Sequence, residues 1–123
     1  MFRLFVIEDH QIMRNSLIRL LEEENDFKVI GEAASGHEAI EMLDAVEADL
    51  LLIDISMPKM DGLMVLKEIR RRWPDFNCVM LTGHDESVYR EQAHEIGALG
   101  YIEKHNVKEI VPSIREVLAK LKL

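Results

Sequence analysis

The stretch LLLIDISMPKMDG, Leu50 to Gly62, decides how the rest of the chain reads. Its first four residues, Leu50 to Ile53, are apolar at every position, as a strand buried on both faces of a helix-covered parallel sheet must be. The run ends on an acid, Asp54, and an apolar strand has no use for an acid in its interior. In an open parallel sheet, however, the carboxyl ends of the strands line the crevice where ligands bind. Asp54 is therefore placed for chemistry rather than packing. The Met57-Pro58 step followed by Asp61-Gly62 is an ordinary turn signature, and Asp61 reads as a turn residue rather than a ligand.

Four further segments extend this reading. RLFVI (Arg3 to Ile7) and CVML (Cys78 to Leu81) are continuously apolar and suit central strands, whereas FKVIGEA (Phe27 to Ala33) alternates and LGYIE (Leu99 to Glu103) is short and half polar, which suits sheet edges. Segments of helical period lie between and after them, so the chain predicts an α/β fold with a wound five-stranded parallel sheet and five helices. Met13, Leu17, Leu20 and Leu21 make one face of the first helix, and Ala39, Leu43 and Val46 one face of the second. The second opens on a capping box, Ser35 with Glu38. The third runs from near Leu63 to Arg72, stopped by Pro74, with Val65, Leu66 and Ile69 inward. The fourth ends at Gly97, after Val88, Ala93 and Ile96 on its buried side. The last shows Val107, Ile110, Ile114, Val117, Leu118 and Leu121, with Asn106 as its cap. Pro112 lacks an amide proton, so that helix must kink or begin later.

Composition narrows the function. A chain of 123 residues, 48% apolar and 31% charged, is the size of one domain able to bury its own core. No apolar run approaches the roughly 18 residues of a membrane span, and MFRLFVIEDH meets an acid too early for a secretory signal. The expected setting is cytoplasmic. A net charge of −8 argues against nucleic-acid or membrane contact. Arg70-Arg71-Arg72 falls where a helix ends, where cations complement its dipole. The single Cys78 reads as a buried reduced thiol, the seven methionines mostly as core filler on helices, and the five histidines have no zinc spacing.

At the carboxyl ends of the predicted strands stand Glu8 and Asp9, Asp54, Thr82 and Gly83, and Lys104. Three close carboxylates repel one another unless a cation intervenes. A few oxygen ligands favour Mg2+, which is usually held by one or two carboxylates and phosphate oxygens. Phosphoryl transfer is the matching chemistry, since there the protein's work is placement and charge neutralisation. Asp54 is the candidate nucleophile. Thr82 could donate its hydroxyl to a phosphoryl oxygen, Gly83 leaves the approach open, and Lys104 would neutralise remaining charge.

The acidic pair in VIEDH, the acceptor in DISMPKMDG, the hydroxyl in MLTGHD and the lysine in GALGYIEK, in this order and each at a strand end, resemble the receiver domain of two-component response regulators over the whole chain, residues 1–123. The wording of EDHQIMR, VIGEAASG and GALGYIEK is most similar to the LuxR/NarL-type subgroup. The resemblance implies a doubly wound, flavodoxin-like fold with strand order 2-1-3-4-5. It implies phosphorylation at Asp54 by a sensor histidine kinase, and Mg2+ held by Asp9, Asp54 and the Ser56 carbonyl with Glu8 acting through water. It also implies a switch in which Thr82 moves toward the phosphoryl group and Tyr101 turns inward, altering the surface of the fourth helix and fifth strand. Such a module is not an enzyme beyond its own phosphorylation and dephosphorylation. Its partners would be the kinase, an output domain or downstream protein, most often in transcription regulation, and a second copy as a homodimer. With the sequence ending at Leu123, either the chain acts alone or it is a fragment of such a regulator.

Some residues depart from the family's usual pattern. His105 follows Lys104 where the family places a proline in a cis bond, and a cis bond without proline costs roughly 2.5–4 kcal/mol. Pro112 inside the last helix bears on any dimer face there. Ser56 and His84 stand two residues beyond Asp54 and Thr82, where side chains could affect the hydrolytic water. Taken singly, Tyr101 reads as an edge-strand packing residue. Two other functions fit some of the same residues: a docking module with an inert site, and an Asp-nucleophile phosphatase of the haloacid-dehalogenase type, which looks for a second acid where Ser56 stands.

Overall fold

The computed structural model describes residues 1–83 and 87–121; His84 lies outside the described residues. The strands are β1 (Phe2–Ile7), β2 (Phe27–Ala33), β3 (Leu50–Asp54), β4 (Cys78–Thr82) and β5 (Gly100–Glu103), and the helices α1 (Gln11–Glu22), α2 (Gly36–Met42), α3 (Gly62–Arg72), α4 (Ser87–Ile96) and α5 (Val107–Ala119). The strands form one sheet in the order β2-β1-β3-β4-β5, and every neighbouring pair is parallel. This is the wound architecture read from the sequence pattern, in the strand order that the family resemblance implies.

Alternation along the buried strands divides the core in two. Phe5, Ile7, Leu51, Ile53, Cys78 and Met80 pack with Ala39, Val65, Leu66, Ile69 and Ala93 of α2, α3 and α4. Leu4, Val6, Leu50, Leu52, Val79 and Leu81 pack with Leu17 and Leu21 of α1 and Ile110, Ile114, Val117 and Leu118 of α5. Each central strand is thus covered on both faces, which is why its sequence carries no polar alternation.

Several local expectations change. Helical period puts Val88 and Val107 on buried faces, but they are 60% and 55% exposed. Each stands in the first turn of its helix. The second helix ends at Met42, and Leu43 is buried from a short 3-10 turn, Leu43–Ala45. Asp61 is more than a turn residue: its carboxylate accepts the Met64 N–H at 3.0 Å as the N-cap of α3. Asn106 precedes α5 without a side-chain cap bond, and α5 neither begins later nor ends at Pro112, which is exposed inside it. Only Met57 and Met80 of the methionines are buried, and neither is on a helix. The Ser35 hydroxyl does accept the Glu38 N–H at 3.1 Å. Gly97 has φ +104°, the left-handed region, just past α4.

Candidate functional site

Strand register builds the site. The pairing that sets Ile7 opposite Ile53 puts the next residue of each strand, Glu8 and Asp54, side by side beyond it. Asp54 is opposite Leu81, so Thr82 follows at the same edge, and Thr82 opposite Glu103 brings Lys104 in after it. The Lys104 N–H donates to the Thr82 carbonyl at 2.8 Å, holding the fifth strand's end in place. Behind Asp54 the chain turns back tightly: the Gly62 N–H donates to the Ile55 carbonyl at 2.9 Å. A Cβ on Gly62 would lie 2.2 Å from the Asp54 carbonyl oxygen, so only glycine fits against that backbone.

One oxygen from each of Glu8, Asp9 and Asp54 can be chosen so that all lie within 4.8 Å of one another. Lys104 Nζ donates to Glu8 Oε1 at 2.8 Å and to Asp54 Oδ1 at 3.1 Å. Glu8 and Asp54 are buried, with Asp54 1% exposed, and Asp54 Oδ2 is buried with no hydrogen-bond partner among the described residues. A carboxylate oxygen left bare in a protein interior is costly unless something pairs with it.

The electrostatics follow from burial. Desolvation, and behind it the Glu8 carboxylate, pushes the Asp54 pKa up to about 7 against the pull of Lys104. Burial alone would also raise Glu8, but the bonds it accepts from Lys104 and the His10 N–H, together with its coupling to the neighbouring Asp54, bring it below the ordinary carboxylate value. Burial and Glu8 together raise Asp9. Burial opposes the Lys104 ammonium, yet Glu8 and Asp54 hold its pKa above the ordinary value. One lysine thus does not neutralise three acids, and their oxygens lie close enough together to share a metal ion. The donor set, hard oxygens around an unpartnered carboxylate oxygen, fits Mg2+.

The pocket over this cluster is lined by Glu8, Asp9, His10, Met13, Asp54, Ser56, Lys104 and His105. Five of the seven residues singled out in the sequence therefore converge. Thr82 is buried at the end of β4 but does not line the pocket. Tyr101 stands apart: its hydroxyl is buried without a hydrogen-bond partner among the described residues, its ring lies under the Arg90 guanidinium at 4.9 Å, and it borders a groove between α4 and β5. The peptide bond from Lys104 to His105 is not cis, so the lysine reaches both acids without the usual proline. His10 and His105 reach the pocket from loops, and no spacing in the sequence marked them.

A wound parallel sheet in the order β2-β1-β3-β4-β5 with three acids and a lysine at its carboxyl edge defines a flavodoxin-like class of domain, and comparison with known proteins narrows it. The family model described as the response regulator receiver domain matches residues 4–115, and the chain belongs to that family. Response regulator UvrY of Escherichia coli O6:H1 is 35% identical over 118 residues, which are 95% of this chain and 54% of UvrY. A LuxR-family two-component response regulator from an Aurantimonas species superposes with a TM-score of 0.91 at 29% identity, over 96% of this chain and 85% of that one. The signal receiver domain of the putative response regulator NarL from Mycobacterium tuberculosis does so at 0.87 and 30%, over 98% of both. The chain is a receiver domain of two-component systems, similar to LuxR/NarL-type regulators. It spans about half the length of the curated relatives it matches. Among the described residues no helix is long and apolar enough to cross a membrane.

Proposed function

We propose that this chain, residues 1–123 acting as one receiver, takes a phosphoryl group onto Asp54 from the phosphohistidine of a sensor kinase and passes the signal on through its surface. The observation that carries this reading is the buried Asp54, bonded to Lys104 through one oxygen and, among the described residues, unpartnered at the other. In the transfer an ionised Asp54 oxygen attacks phosphorus while the phosphorus–nitrogen bond to the donor histidine breaks, its electron pair returning to the imidazole. Lys104, already pointing at Asp54, exchanges part of its carboxylate pairing for a phosphoryl oxygen. Thr82, one residue beyond the partner of Asp54 in the sheet, supplies a hydroxyl to another. Asp9, Asp54 and the Ser56 carbonyl would hold Mg2+, with Glu8 acting through water. The bound ion would offset the charge that Lys104 leaves uncompensated.

The phosphoryl group adds roughly two negative charges, and its contacts with Thr82 and Lys104 bias the surface of α4 and β5, where Tyr101 borders the groove. Moving that surface from a 1:99 to a 99:1 population requires about 5.5 kcal/mol of preference for one state. An output domain or a downstream protein, in transcription regulation, is the recipient, and a second copy of the chain is a further candidate partner. Acetyl phosphate with Mg2+ tests the reading. A stoichiometric adduct supports it, turnover of unrelated phosphate esters favours a phosphatase, and no adduct favours an inert docking module.

A further inference from the structure

Every polar handle of Glu8 is occupied. Its N–H donates to the Ala33 carbonyl at 3.1 Å, Oε1 accepts from Lys104 at 2.8 Å, and Oε2 accepts the His10 N–H at 3.2 Å. The fourth handle, its carbonyl oxygen, accepts from Arg14 Nη1 at 2.8 Å. Arg14 is the fourth residue of α1, and its side chain is only 12% exposed. Its Nε donates in turn to Glu32 Oε1 at 2.9 Å, on the edge strand β2. The guanidinium fork thus spans two elements that flank the acidic pair.

The bonded carbonyl belongs to the peptide unit that joins Glu8 to Asp9. That unit is planar, so fixing its oxygen fixes the direction in which the chain enters Asp9. The Asp9 carboxylate interacts with the Glu8 carboxylate and with its own backbone N–H, so its orientation follows the backbone that joins the two acids. We propose that Arg14 is a positioning residue for the metal-ligating acids: by clamping the Glu8 carbonyl it sets the Glu8–Asp9 peptide plane and aims Asp9 at the oxygen cluster, with Glu32 holding the guanidinium in register. Lysine would not do the same, because one ammonium lacks the rigid fork that serves two partners at once. The inference rests on the receiver reading of the site.

Binding of Mg2+ alone, followed by calorimetry, with Mn2+ followed by electron paramagnetic resonance, tests it without any phosphoryl donor. Arg14→Met keeps the apolar stem and should weaken Mg2+ binding roughly tenfold, the scale of lost support behind a metal ligand. Arg14→Lys should recover part of that loss, and Glu32→Gln, whose amide oxygen still accepts, should stay within about twofold of wild type. The loss should vanish in an Asp9→Asn background, since a residue acting through Asp9 has nothing left to aim. Folded Arg14→Met with wild-type affinity, or equal losses with and without Asp9, overturns the inference alone. Should Arg14→Met not fold, wild-type affinity in Arg14→Lys does the same. A wild-type chain that takes up neither ion overturns the receiver reading as well.

Discussion

Asp54→Asn should stabilise the protein in the absence of divalent ions, although it removes the central side chain of the site. Asp54 is 1% exposed and shares its surroundings with the Glu8 carboxylate, and together these push its pKa from the ordinary 3.8 up to about 7. The sign follows directly. A carboxylate whose pKa is higher in the folded than in the unfolded chain contributes stability below about pH 4, and that contribution is lost as pH rises through about 7. At about 1.4 kcal/mol per pH unit, the gap is a penalty of up to about 4 kcal/mol at pH 8. Asparagine carries no charge, and its carbonyl oxygen can still accept from Lys104. Urea unfolding in EDTA, followed by circular dichroism at several pH values, should give the variant a small advantage near pH 4.5 that widens to between about 2 and 4 kcal/mol at pH 8. Equal or lower stability of Asp54→Asn at pH 8, or a difference flat from pH 4.5 to 8, would refute the argument that Asp54 is held in an unfavourable buried charge state.

Other substitutions test the frame around the site. Gly62→Ala drives a Cβ to 2.2 Å from the Asp54 carbonyl, and as the Cβ is fixed to its own backbone and the carbonyl is backbone, the chain must shift; the urea midpoint should fall by the equivalent of about 2–3 kcal/mol. Asp61→Ala removes the N-cap of α3, at a cost of about 1 kcal/mol in the same assay. Cys78 is fully buried and its thiol is pushed up to about 12 by burial, so a thiol reagent at pH 8 should label it only at the rate of unfolding.

The strands were legible because burial on both faces leaves a plain signature: Phe27–Ala33 falls where the sequence placed it, and β3 and β4 extend one residue past their apolar runs to include Asp54 and Thr82. The acids and Lys104 were legible because strand ends converge in a parallel sheet. Periodicity failed at Val88 and Val107, which stand exposed in the first turns of their helices, because a helical face says nothing about which of its turns are covered. Arg14 was invisible for a different reason. Its partners, Glu8 and Glu32, come together only once β1 and β2 pair, and a single arginine in a first turn carries no pattern. Arg70 is a second example: it donates to the carbonyls of Pro74, Phe76, Ile96 and Gly97, tying the end of α3 to the end of α4. From the sequence it read only as a charge complementing its own helix.

The central claim is that Asp54 captures phosphorus, and locating the phosphoryl group tests it most directly. Wild type and Asp54→Asn would be incubated with acetyl phosphate and Mg2+, reduced with borohydride to convert an acyl phosphate to its alcohol, and mapped by peptide mass spectrometry. The account predicts one modified residue per chain, at Asp54, and none in the variant. Modification at Glu8 or Asp9 instead, or labelling of Asp54→Asn at the wild-type rate, would contradict it.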